Sequence, residues 1–585
     1  MKVGLSGYQW IVLGEINRPS QFLLEKYGKV LGQLLYNRKE LFDDRFSEEY
    51  IVPSLSNLLK PSFFNHLEEI ALKLTESIRK NKRIVVYGDY DADGITSTSM
   101  LVNFFRNTNA YCKYYIPSRF DEGYGLNKNA IKSISEYGDV LIVVDSGTNA
   151  FEELLLAKQL GLEVYVLDHH EPSERWKEIK PPYFVEGVNI INPKFFEDIN
   201  PLFKHLASVG IAFYLIAVLK RLLGVDVKLR NFLDIVALGT VTDLVPMSFI
   251  NRVLVKTGLE EINKKKRVGI KKLIEHAGID REISSSDISF YIGPRINASG
   301  RLSDARKAVK LLVTNDNVKA QMLALELESL NKKRQKITDE VTSQAEKKLL
   351  NYPYKNIIVV DEENWHSGVI GIVAGKLAQK YMLPSVVLTK ENGKAVGSAR
   401  SVSKVNIYRA LSMCSDLFEK FGGHSAAAGF TIRSDKIEEF KERLDRSIKD
   451  VAEEKPWAVK EIDMEIPLSY WDKQKIKEIY ILEPFGEKNP KPKFLATNLR
   501  LEYFEVPYRS LIVLTLVDSE KKTFICKWWK SGEVVKQLAV GQFLDVVYTP
   551  AVSSYKGVES IEFYVEDIRI IKEQRDIHPY TNPKQ

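Results

Sequence analysis

Residues 83–94 read RIVVYGDYDADG, a short apolar run that ends in a cluster of acids. The arrangement recurs downstream, where VLIVV (140–144) leads into DSGT (145–148) and EVYVL (163–167) leads into DHH (168–170). Short runs that are apolar throughout and rich in Val and Ile are typical of strands buried on both faces of a parallel sheet. These runs therefore predict an α/β fold in which each polar cluster directly follows a strand.

A fourth apolar stretch, DIVALGTVTD (234–243), ends in Asp243, and we place it at a strand-like position as well. In an open α/β sheet, ligands bind beyond the carboxyl ends of the strands. The sequence therefore predicts that these acids and histidines converge in one crevice, although they lie far apart along the chain.

The chemistry of such a crevice is set by its carboxylates, which repel one another and take up protons unless a cation holds them ionised. Aspartates with one or two imidazoles suit Mn²⁺ or Mg²⁺, whereas zinc sites favour cysteine and histidine. A shared carboxylate lets such a set hold two ions roughly 3.5–4 Å apart, the spacing used for in-line attack at phosphorus. The crevice is therefore a candidate site for two divalent cations, Mn²⁺ or Mg²⁺.

Each cluster taken alone has an ordinary structural explanation. An Asp-x-Asp after a strand usually caps a helix, Asp-Ser-Gly is a common turn, and adjacent histidines are often surface or core residues. Because the clusters follow successive apolar runs, their combination favours a functional site over these separate explanations.

The rest of the chain shows further changes of pattern. Residues 318–350 contain no Gly or Pro and predict one long helix, and NIIVV (356–360) opens a second α/β block. After Pro456, alternating strands separated by turn residues predict a small barrel, most simply an OB-fold.

The fold class is therefore α/β, with two α/β domains joined by a long helix and followed by an OB-fold-like β-barrel. The expected segments are an N-terminal helical segment (1–60), a catalytic α/β domain (61–317), the connecting helix (318–350), a second α/β domain that binds substrate (351–455), a nucleic-acid-binding barrel (456–575) and a tail (576–585).

The composition sets further limits. The 585 residues are too many for one hydrophobic core, and a net charge of +7 permits a polyanionic partner without demanding one. The three cysteines are far apart and form neither a zinc set nor a disulfide framework, which fits a reducing compartment. We see no signal peptide and no apolar run long enough to span a bilayer, so we expect a soluble, cytoplasmic protein.

Several motifs carry a resemblance to a known family. GDYDADG (88–94), VVDSGT (143–148), LDHH (167–170) and GTVTD (239–243) resemble the four motifs of the DHH phosphoesterase superfamily. Further stretches resemble the RecJ exonucleases of that superfamily, in the expected order along most of the chain: IPSRFDEGYGL (116–126), ASVGIAFYL (207–215), GPRINASGRL (293–302), NWHSGVIGIVAGKLA (364–378), GSARS (397–401), FGGHSAAAGF (421–430) and EPFGEKNPKPKF (483–494). By this resemblance the two α/β domains are a DHH domain and a DHH-associated domain.

The resemblance implies a role for each acid and histidine in the motifs. Asp91 and Asp93 each hold one metal ion, and Asp145 bridges the two ions. His169 and Asp243 complete the shell of the second ion.

It also implies roles for the neighbouring residues. His170 touches the phosphate and helps to protonate the leaving oxygen, whereas Asp89 and Asp168 orient the metal ligands. Tyr87 stands where smaller DHH enzymes often place a histidine ligand. The first metal ion is therefore expected to be held more weakly and to depend on the substrate phosphate or on water.

Substrate contacts are expected from basic and glycine-rich elements, because backbone amides in glycine-rich turns approach phosphate closely and arginine grips it bidentately. The resemblance implies that Arg119, Ser398 and Arg400 form a pocket for the 5′-terminal phosphate. Arg301 lies in the GPRINASGR motif with Arg295 and Asn297. For this arginine, a surface salt bridge is the alternative to phosphate binding. The predicted substrate-binding residues are Arg119, Arg295, Asn297, Ser398, Arg400, Gly422, Gly423 and His424.

In the barrel region, Trp528 and Trp529 lie between lysines. Because side chains alternate along a strand, at least one of the two must face inward. We expect core packing for one of them and stacking on bases of a single strand for the other.

Taken with the resemblance, these features predict a single-stranded-DNA-specific 5′-to-3′ exonuclease that acts in DNA repair and recombination. The expected partners are single-stranded DNA, a helicase and a single-strand-binding protein; we expect a monomer without membrane association. One alternative is a DHH oligoribonuclease or small phosphoesterase, although such an enzyme would not need the barrel and the long helix. Another is a non-catalytic RecJ-like DNA-binding scaffold, although scaffolds of this kind lose metal ligands that are intact here.

Overall fold

The computed structural model describes the chain apart from a set of short segments. These are residues 1–2, 43–46, 65, 124, 177–186, 196–200, 351–354, 403–404, 453–457, 509, 530–533, 556–557 and 572–585. The expected C-terminal tail (576–585) lies outside the described residues. None of the described helices is long and apolar enough to cross a membrane.

The strands, in chain order, are β1 Gln9–Val12, β2 Ile84–Gly88, β3 Cys112–Tyr115, β4 Val140–Val144, β5 Glu163–Leu167, β6 Val188–Ile191, β7 Ile358–Glu363, β8 Ser385–Glu391, β9 Lys394–Arg400, β10 Phe418–His424, β11 Ala427–Arg433, β12 Val459–Ile462, β13 Met464–Glu465, β14 Phe494–Tyr508, β15 Leu511–Val517, β16 Thr523–Trp529, β17 Phe543–Tyr555 and β18 Val558–Ile571. The α-helices are α1 Leu13–Ile16, α2 Gln21–Tyr36, α3 Ser47–Ile51, α4 Leu67–Arg79, α5 Ala92–Asn107, α6 Lys128–Tyr137, α7 Phe151–Gln159, α8 Ser208–Leu223, α9 Leu233–Thr242, α10 Phe249–Asn263, α11 Val268–His276, α12 Ser285–Asp287, α13 Gly293–Leu302, α14 Arg306–Val313, α15 Asn317–Leu349, α16 Ser367–Tyr381, α17 Ile407–Ser412, α18 Ile437–Val451 and α19 Lys473–Tyr480.

The chain forms two compact units. The first unit consists of Arg38–Lys336 and Leu482–Pro490, and the second consists of Met1–Asn37, Ile337–Ile481 and Lys491–Gln585. This division differs from the expected segments, because the start of the chain groups with the C-terminal half and Leu482–Pro490 groups with the first unit. Helix α15, 33 residues long, begins in the first unit and ends in the second.

The first unit is built on a parallel sheet with strand order β3-β2-β4-β5-β6. Strands β2 and β4 are fully buried, as their uninterrupted apolar sequences predict. Chain order reverses between β2 and β4, so the sheet is doubly wound and its ligand crevice is expected at the carboxyl ends of these two strands.

One local prediction in this unit is wrong. The stretch DIVALGTVTD (234–243) does not form a strand, because Leu233–Thr242 is a fully buried helix with Asp243 at its C-cap. An apolar run without periodicity does not distinguish a buried strand from a buried helix. The stretch GPRINASGR (293–301) is part of helix α13, which follows a π-helical segment at Ile288–Ile292.

Besides the two-stranded sheet of β1 and β12, the second unit contains two larger sheets. One has the order β10-β11-β9-β8-β7, with β7 and β8 parallel and the other pairs antiparallel. The other has the order β13-β14-β15-β16-β18-β17 and closes through pairing of β14 with β17. The parallel pairing of β16 with β18 gives the five-stranded Greek-key barrel of an OB-fold. The predicted fold class is therefore confirmed: two α/β domains, a connecting helix and a C-terminal OB-fold-like barrel.

The N-terminal segment is not wholly helical or irregular. Strand β1 pairs in parallel with β12, and Trp10 donates its indole N–H to Asp567 Oδ2 at 2.9 Å. Asn37 donates to Asp463 Oδ1 at 3.0 Å. These contacts explain why the start of the chain belongs to the second unit.

Candidate metal centre

The first acidic cluster lies at the junction of β2 and α5. Asp91 is the N-cap of α5, and its Oδ1 accepts from the backbone N–H groups of Asp93 at 3.0 Å and Gly94 at 3.3 Å. A Cβ at position 94 would lie 2.4 Å from the Asp89 carbonyl oxygen, so only glycine allows this tight turn. The DxD motif is thus a helix cap whose geometry also gathers carboxylates at the switch point of the sheet.

Asp93 is held in place by the start of another helix. Its carboxylate accepts from Ser208 N at 2.7 Å and Val209 N at 2.9 Å, at the N-terminus of α8. Ser208 Oγ also lies 3.4 Å from Asp145 Oδ1. Sequence reasoning did not single out Ser208 and Val209, although both lie in the ASVGIAFYL motif.

Asp145 follows β4 in an unusual backbone conformation. Its φ is +61°, in the left-handed region that costs a non-glycine residue energy, and its side chain is 2% exposed. Such local strain is tolerated where the surroundings fix the residue, and it often marks a functional site.

Asp168 orients both histidines of the DHH motif. Its Oδ1 accepts from the His170 Nδ1–H at 2.7 Å and from the His169 backbone N–H at 2.8 Å, while its Oδ2 accepts from Thr148 N at 2.9 Å. Asn192 supports the same cluster, because its Nδ2 donates to the His170 carbonyl oxygen at 2.9 Å and to Thr148 Oγ1 at 3.0 Å. Asn192 is a supporting residue that sequence reasoning missed.

The acids and His169 converge as predicted. His169 Nε2 lies 3.4 Å from Asp145 Oδ1, 3.5 Å from Asp243 Oδ2 and 3.8 Å from Asp93 Oδ2. Three overlapping groups have ligand atoms within 4.8 Å of one another: Asp93–His169–Asp243, Asp145–His169–His170 and Asp89–Asp91–Asp145. Asp145 belongs to two of these groups, which is the position that a bridging carboxylate would occupy.

Burial and mutual repulsion disfavour ionisation of these acids. Burial and the neighbouring Asp91 raise the pKa of Asp93 to about 7. Burial and adjacent carboxylates also raise the pKa values of Asp145 and Asp243 well above their ordinary range. A positive charge between the carboxylates would reverse this effect.

Asp168 and His170 behave as an ion pair. Burial opposes ionisation of Asp168, but the His170 imidazolium holds the pKa of that carboxyl far below its usual range. Burial likewise disfavours the His170 cation, but Asp168 raises the pKa of His170 to about 9. This raised pKa favours the protonated form of His170 at neutral pH.

The residues fit a divalent cation. Among the residues that the structure describes, the buried oxygens Asp89 Oδ1 and Asp243 Oδ2 accept no hydrogen bond. Buried carboxylate oxygens without donors are costly unless a cation is bound. The donor set of carboxylates and imidazoles, without thiolates, matches Mn²⁺ or Mg²⁺.

Tyr87 does not point into this set of ligands. Its hydroxyl donates to the Gly125 carbonyl oxygen at 2.8 Å, and its ring stacks on Tyr115 with centroids 5.5 Å apart. The segment from Ser118 to Gly125 is also organised by Glu122, which accepts from Tyr115 Oη at 2.7 Å. Tyr87 thus supports the loop that carries Arg119.

The predicted substrate residues of the first unit have different surroundings. The Arg119 guanidinium lies 5.3 Å from the Tyr90 ring centroid, beside the acidic cluster. Arg295 is buried, pairs with Glu328 at 2.6 Å and donates to a backbone carbonyl, so the structure gives it a packing role. Asn297 Oδ1 accepts from the Ala92 N–H at 2.9 Å, which fixes the start of α5.

The remaining predicted substrate residues lie together on the sheet of β9, β10 and β11. Its register aligns the rows Arg400–Ala427–His424 and Ser398–Gly429–Gly422. Arg400 donates to Ser398 Oγ at 3.2 Å. A Cβ on Gly371 of α16 would lie 2.9 Å from Ser398 Oγ and 3.0 Å from Arg400 Nη2, so this glycine lets the helix pack closely over both side chains.

The Trp528–Trp529 pair divides as its strand position predicts. Trp528 is 1% exposed and faces the barrel core, whereas Trp529 is 60% exposed. Trp529 lies opposite Leu511, which in turn lies opposite Tyr508, and Tyr508 is 70% exposed. The outer face of β14, β15 and β16 therefore presents aromatic rings to solvent.

Comparison with known proteins agrees with this arrangement. The DHH family N-terminal domain matches residues 83–240, the DHHA1 domain residues 354–450 and the RecJ OB domain residues 462–567. The doubly wound sheet with its acidic switch point, followed by a DHHA1 domain, defines a protein of the DHH class.

The relatives give a narrower assignment. The single-stranded-DNA-specific exonuclease RecJ of Escherichia coli (strain K12) is 32% identical over 89% of this chain and 93% of its own length. The crystal structure of RecJ in complex with Mn²⁺ from Thermus thermophilus is 30% identical, has a TM-score of 0.80 and is matched over 96% of this chain and 79% of that chain. The chain belongs to the RecJ family.

Not every relative is matched over its full length. The chain spans 63% of the Bacillus subtilis (strain 168) RecJ, at 35% identity, and 61% of the Thermus thermophilus RecJ sequence, also at 35% identity. The family assignment rests on the relatives that are covered almost completely.

Proposed function

We propose that this protein is a metal-dependent exonuclease that hydrolyses phosphodiester bonds of single-stranded DNA in the 5′-to-3′ direction. The observation that carries the proposal is the convergence of Asp93, Asp145, Asp243 and His169 at the switch point of the sheet. The names of the relatives supply the substrate and the strand specificity.

The acids and His169 would hold the cations. Asp91 and Asp93 would each hold one ion, Asp145 would serve both, and His169 and Asp243 would complete the second set of ligands. Bound Mn²⁺ or Mg²⁺ would supply an activated water and neutralise charge on the phosphate oxygens. Crystal structures of RecJ from Thermus thermophilus have been described in complex with Mn²⁺ and with Mg²⁺.

The chain's own residues orient the reaction. Asp168 holds His170 protonated, so that this imidazolium is placed to donate to a phosphate oxygen and to deliver a proton to the leaving oxygen. Ser208 and Val209 fix the rotamer of Asp93 through backbone N–H groups. These contacts pre-organise the ligands before substrate arrives.

Degradation of DNA in the 5′-to-3′ direction requires that the enzyme recognise the 5′ end of the strand. Arg119, Ser398 and Arg400 are the candidates for binding a 5′-terminal phosphate, with Gly422, Gly423 and His424 at the edge of the same sheet. Arg119 belongs to the first unit and the others to the second, so their joint pocket stays a prediction. A DNA strand whose 5′ end must bind in this pocket would be shortened from that end.

The test uses the full-length protein and end-labelled oligonucleotides, with Mn²⁺ or Mg²⁺ and with EDTA. A ladder from a 5′-phosphorylated single strand, with duplex spared and EDTA inhibitory, supports the proposal. Asp145→Ala should reduce cleavage at least about 100-fold while strand binding persists. Activity confined to very short RNA would favour an oligoribonuclease, and binding without cleavage would favour a scaffold.

The expected protein partners follow from the same chemistry. An enzyme that degrades only single strands depends on a helicase to open duplex DNA. It must also share its substrate with a single-strand-binding protein. Co-purification or stimulation of the nuclease by such proteins would test these partners.

A further inference from the structure

The segment Leu482–Pro490 is separated from the first unit by more than a hundred residues of sequence, yet it packs there. Its neighbours in the chain, Ile481 and Lys491, belong to the second unit. The segment overlaps the EPFGEKNPKPKF stretch (483–494), to which the proposed mechanism assigns no role. Its contacts point to a function in the metal centre.

The segment touches the loop that carries Asp243. That loop leaves α9 at Asp243 and reaches Met247 before α10 begins. The Met247 backbone N–H donates to the Glu487 carbonyl oxygen at 2.8 Å. A Cβ on Gly486 would lie 2.7 Å from the Met247 methyl group, so the Met247 side chain packs directly against this glycine.

Asn489 gives the segment its shape. It is completely buried, and its amide donates to the carbonyl oxygens of Leu482 at 2.9 Å and Pro484 at 3.0 Å. Its Oδ1 accepts from Arg38 Nε at 2.8 Å, and its backbone pairs with Gly486 in both directions. The Asn489 amide therefore closes the loop through its two donor hydrogens and ties it to Arg38 through its oxygen.

Two further side chains fasten the loop to the first unit. Ser285 Oγ donates to the Phe485 carbonyl oxygen at 2.6 Å. Arg252, fully buried in α10, donates to the Leu482 carbonyl oxygen.

Asn251, the residue before Arg252, links the Asp243 loop to the segment that positions Asp93. Asn251 Nδ2 donates to the Pro246 carbonyl oxygen at 2.8 Å and to the His205 carbonyl oxygen at 2.6 Å. His205 lies just before Ser208, whose N–H binds Asp93. The first turn of α10 therefore links the segments that position Asp243 and Asp93.

We infer that Leu482–Pro490 is a clasp that positions the metal ligand Asp243 by holding the loop through Met247. The inference rests on the proposed function, because it assumes that Asp243 binds a metal ion. Asn489 and Ser285 are positioning residues in this scheme, since neither touches a ligand atom. Residues that orient metal ligands typically contribute 10–100-fold to metal affinity.

The test is a titration of the full-length, metal-free protein with Mn²⁺, followed by electron paramagnetic resonance of the free ion. Asn489→Ala should lower Mn²⁺ affinity about tenfold, and Ser285→Ala, which removes a single contact, should lower it less. Glu487→Ala is the matched control, because its exposed side chain is removed while its backbone carbonyl stays. Thermal unfolding, followed by circular dichroism, verifies that each variant is folded at the titration temperature.

A double-mutant cycle identifies the residue through which the clasp acts. In an Asp243→Asn background, Asn489→Ala should cause little additional loss of Mn²⁺ affinity, because the ligand being positioned is already impaired. An equal loss in both backgrounds, or a folded Asn489→Ala protein with wild-type affinity, would overturn the inference. If instead the wild-type protein itself binds no Mn²⁺, the proposed function fails, so the two failures are distinguishable.

Should Asn489→Ala fail to fold, Ser285→Ala and Gly486→Ala carry the test. Gly486→Ala must displace the Met247 methyl group, the flexible end of that side chain, and leaves the hydrogen bonds of Asn489 intact. Weakened Mn²⁺ binding in either folded variant supports the clasp. Unchanged binding in both contradicts it.

Discussion

Tyr87 donates its phenolic hydroxyl to the Gly125 carbonyl oxygen at 2.8 Å, although it stands at the end of a strand whose next residues are metal-ligand candidates. We predict that Tyr87→Phe leaves Mn²⁺ affinity unchanged. It should instead raise KM for 5′-phosphorylated single strands severalfold, because the loop that carries Arg119 loses a hydrogen bond worth about 1 kcal/mol. Steady-state kinetics and a Mn²⁺ titration check the two halves of this prediction.

Tyr137→Phe is the control for that variant, because Tyr137 contacts Lys113 and lies outside the Ser118–Gly125 loop. It should behave as wild type. A fall in Mn²⁺ affinity for Tyr87→Phe would instead place this tyrosine among the groups that support the metal.

The stability of the metal-free protein should depend on pH through the buried acids. The folded-state pKa of Asp93 is about 7, above its ordinary value of 3.8, and those of Asp145 and Asp243 are raised as well. The folded state therefore holds protons that the unfolded state releases, so stability falls as pH rises through this window. Thermal unfolding in EDTA should show a lower Tm at about pH 8 than at about pH 6.

Bound Mn²⁺ should reverse this trend, because metal ligands must be deprotonated. The increase in Tm on adding Mn²⁺ should thus be larger at the higher pH. Asp93→Asn has no proton to lose at this position and should show a shallower dependence without metal. A Tm in EDTA that rises over the same interval in wild type, with no change in Asp93→Asn, would contradict the assignment.

The outer face of the barrel should bind strand bases. Trp529 is 60% exposed and shares a cross-strand row with Tyr508. Because stacking of a base on an aromatic ring contributes about 1–3 kcal/mol, Trp529→Ala should weaken binding of long single strands about tenfold. Fluorescence anisotropy with labelled oligonucleotides measures this effect.

Phe63 provides the comparison, because it is 56% exposed but lies in the first unit. Phe63→Ala should leave binding of long strands unchanged. Equal losses for Phe63→Ala and Trp529→Ala would remove the barrel face from the binding surface.

The sequence predicted the elements that are buried on both faces, because their consecutive residues are all apolar. The strand Val140–Val144 was predicted with its observed bounds because a parallel strand covered on both faces needs an unbroken apolar run. The same reasoning failed at residues 234–243, because a helix buried on all sides is equally apolar. Asp243 was still predicted as a site residue, because it directly follows the apolar element whether that element is a strand or a helix.

Contacts between distant segments could not be predicted in this way. Nothing in the sequence around Asn489 indicates that its amide binds Arg38 or that the neighbouring Glu487 carbonyl binds Met247, because Arg38 and Met247 lie more than two hundred residues away. The contacts of Arg295 could not be predicted for a similar reason, and its role in substrate binding stays a prediction. Its motif is glycine-rich and basic, but Glu328 on a later helix neutralises it.

Arg400 is predicted to bind the 5′-terminal phosphate of the DNA strand. This arginine shares a sheet face with Ser398 and lies in register with His424 across the small residue Ala427 of the middle strand. A guanidinium binds a terminal phosphate through charge-assisted hydrogen bonds worth about 1.5–3 kcal/mol. Arg400→Ala should therefore reduce kcat/KM about 10- to 100-fold on 5′-phosphorylated strands and much less on strands with a 5′ hydroxyl.

The ratio between the two substrates, measured with otherwise identical oligonucleotides, separates end recognition from general damage to the domain. Arg400→Lys keeps the charge but loses the bidentate geometry, so its ratio should fall between those of wild type and Arg400→Ala. Arg433→Ala, on the same sheet but paired with Asp435 at its surface, should leave the ratio unchanged. If Arg400→Ala slows both substrates equally, this arginine does not read the 5′ end, and the polarity must be set by other residues.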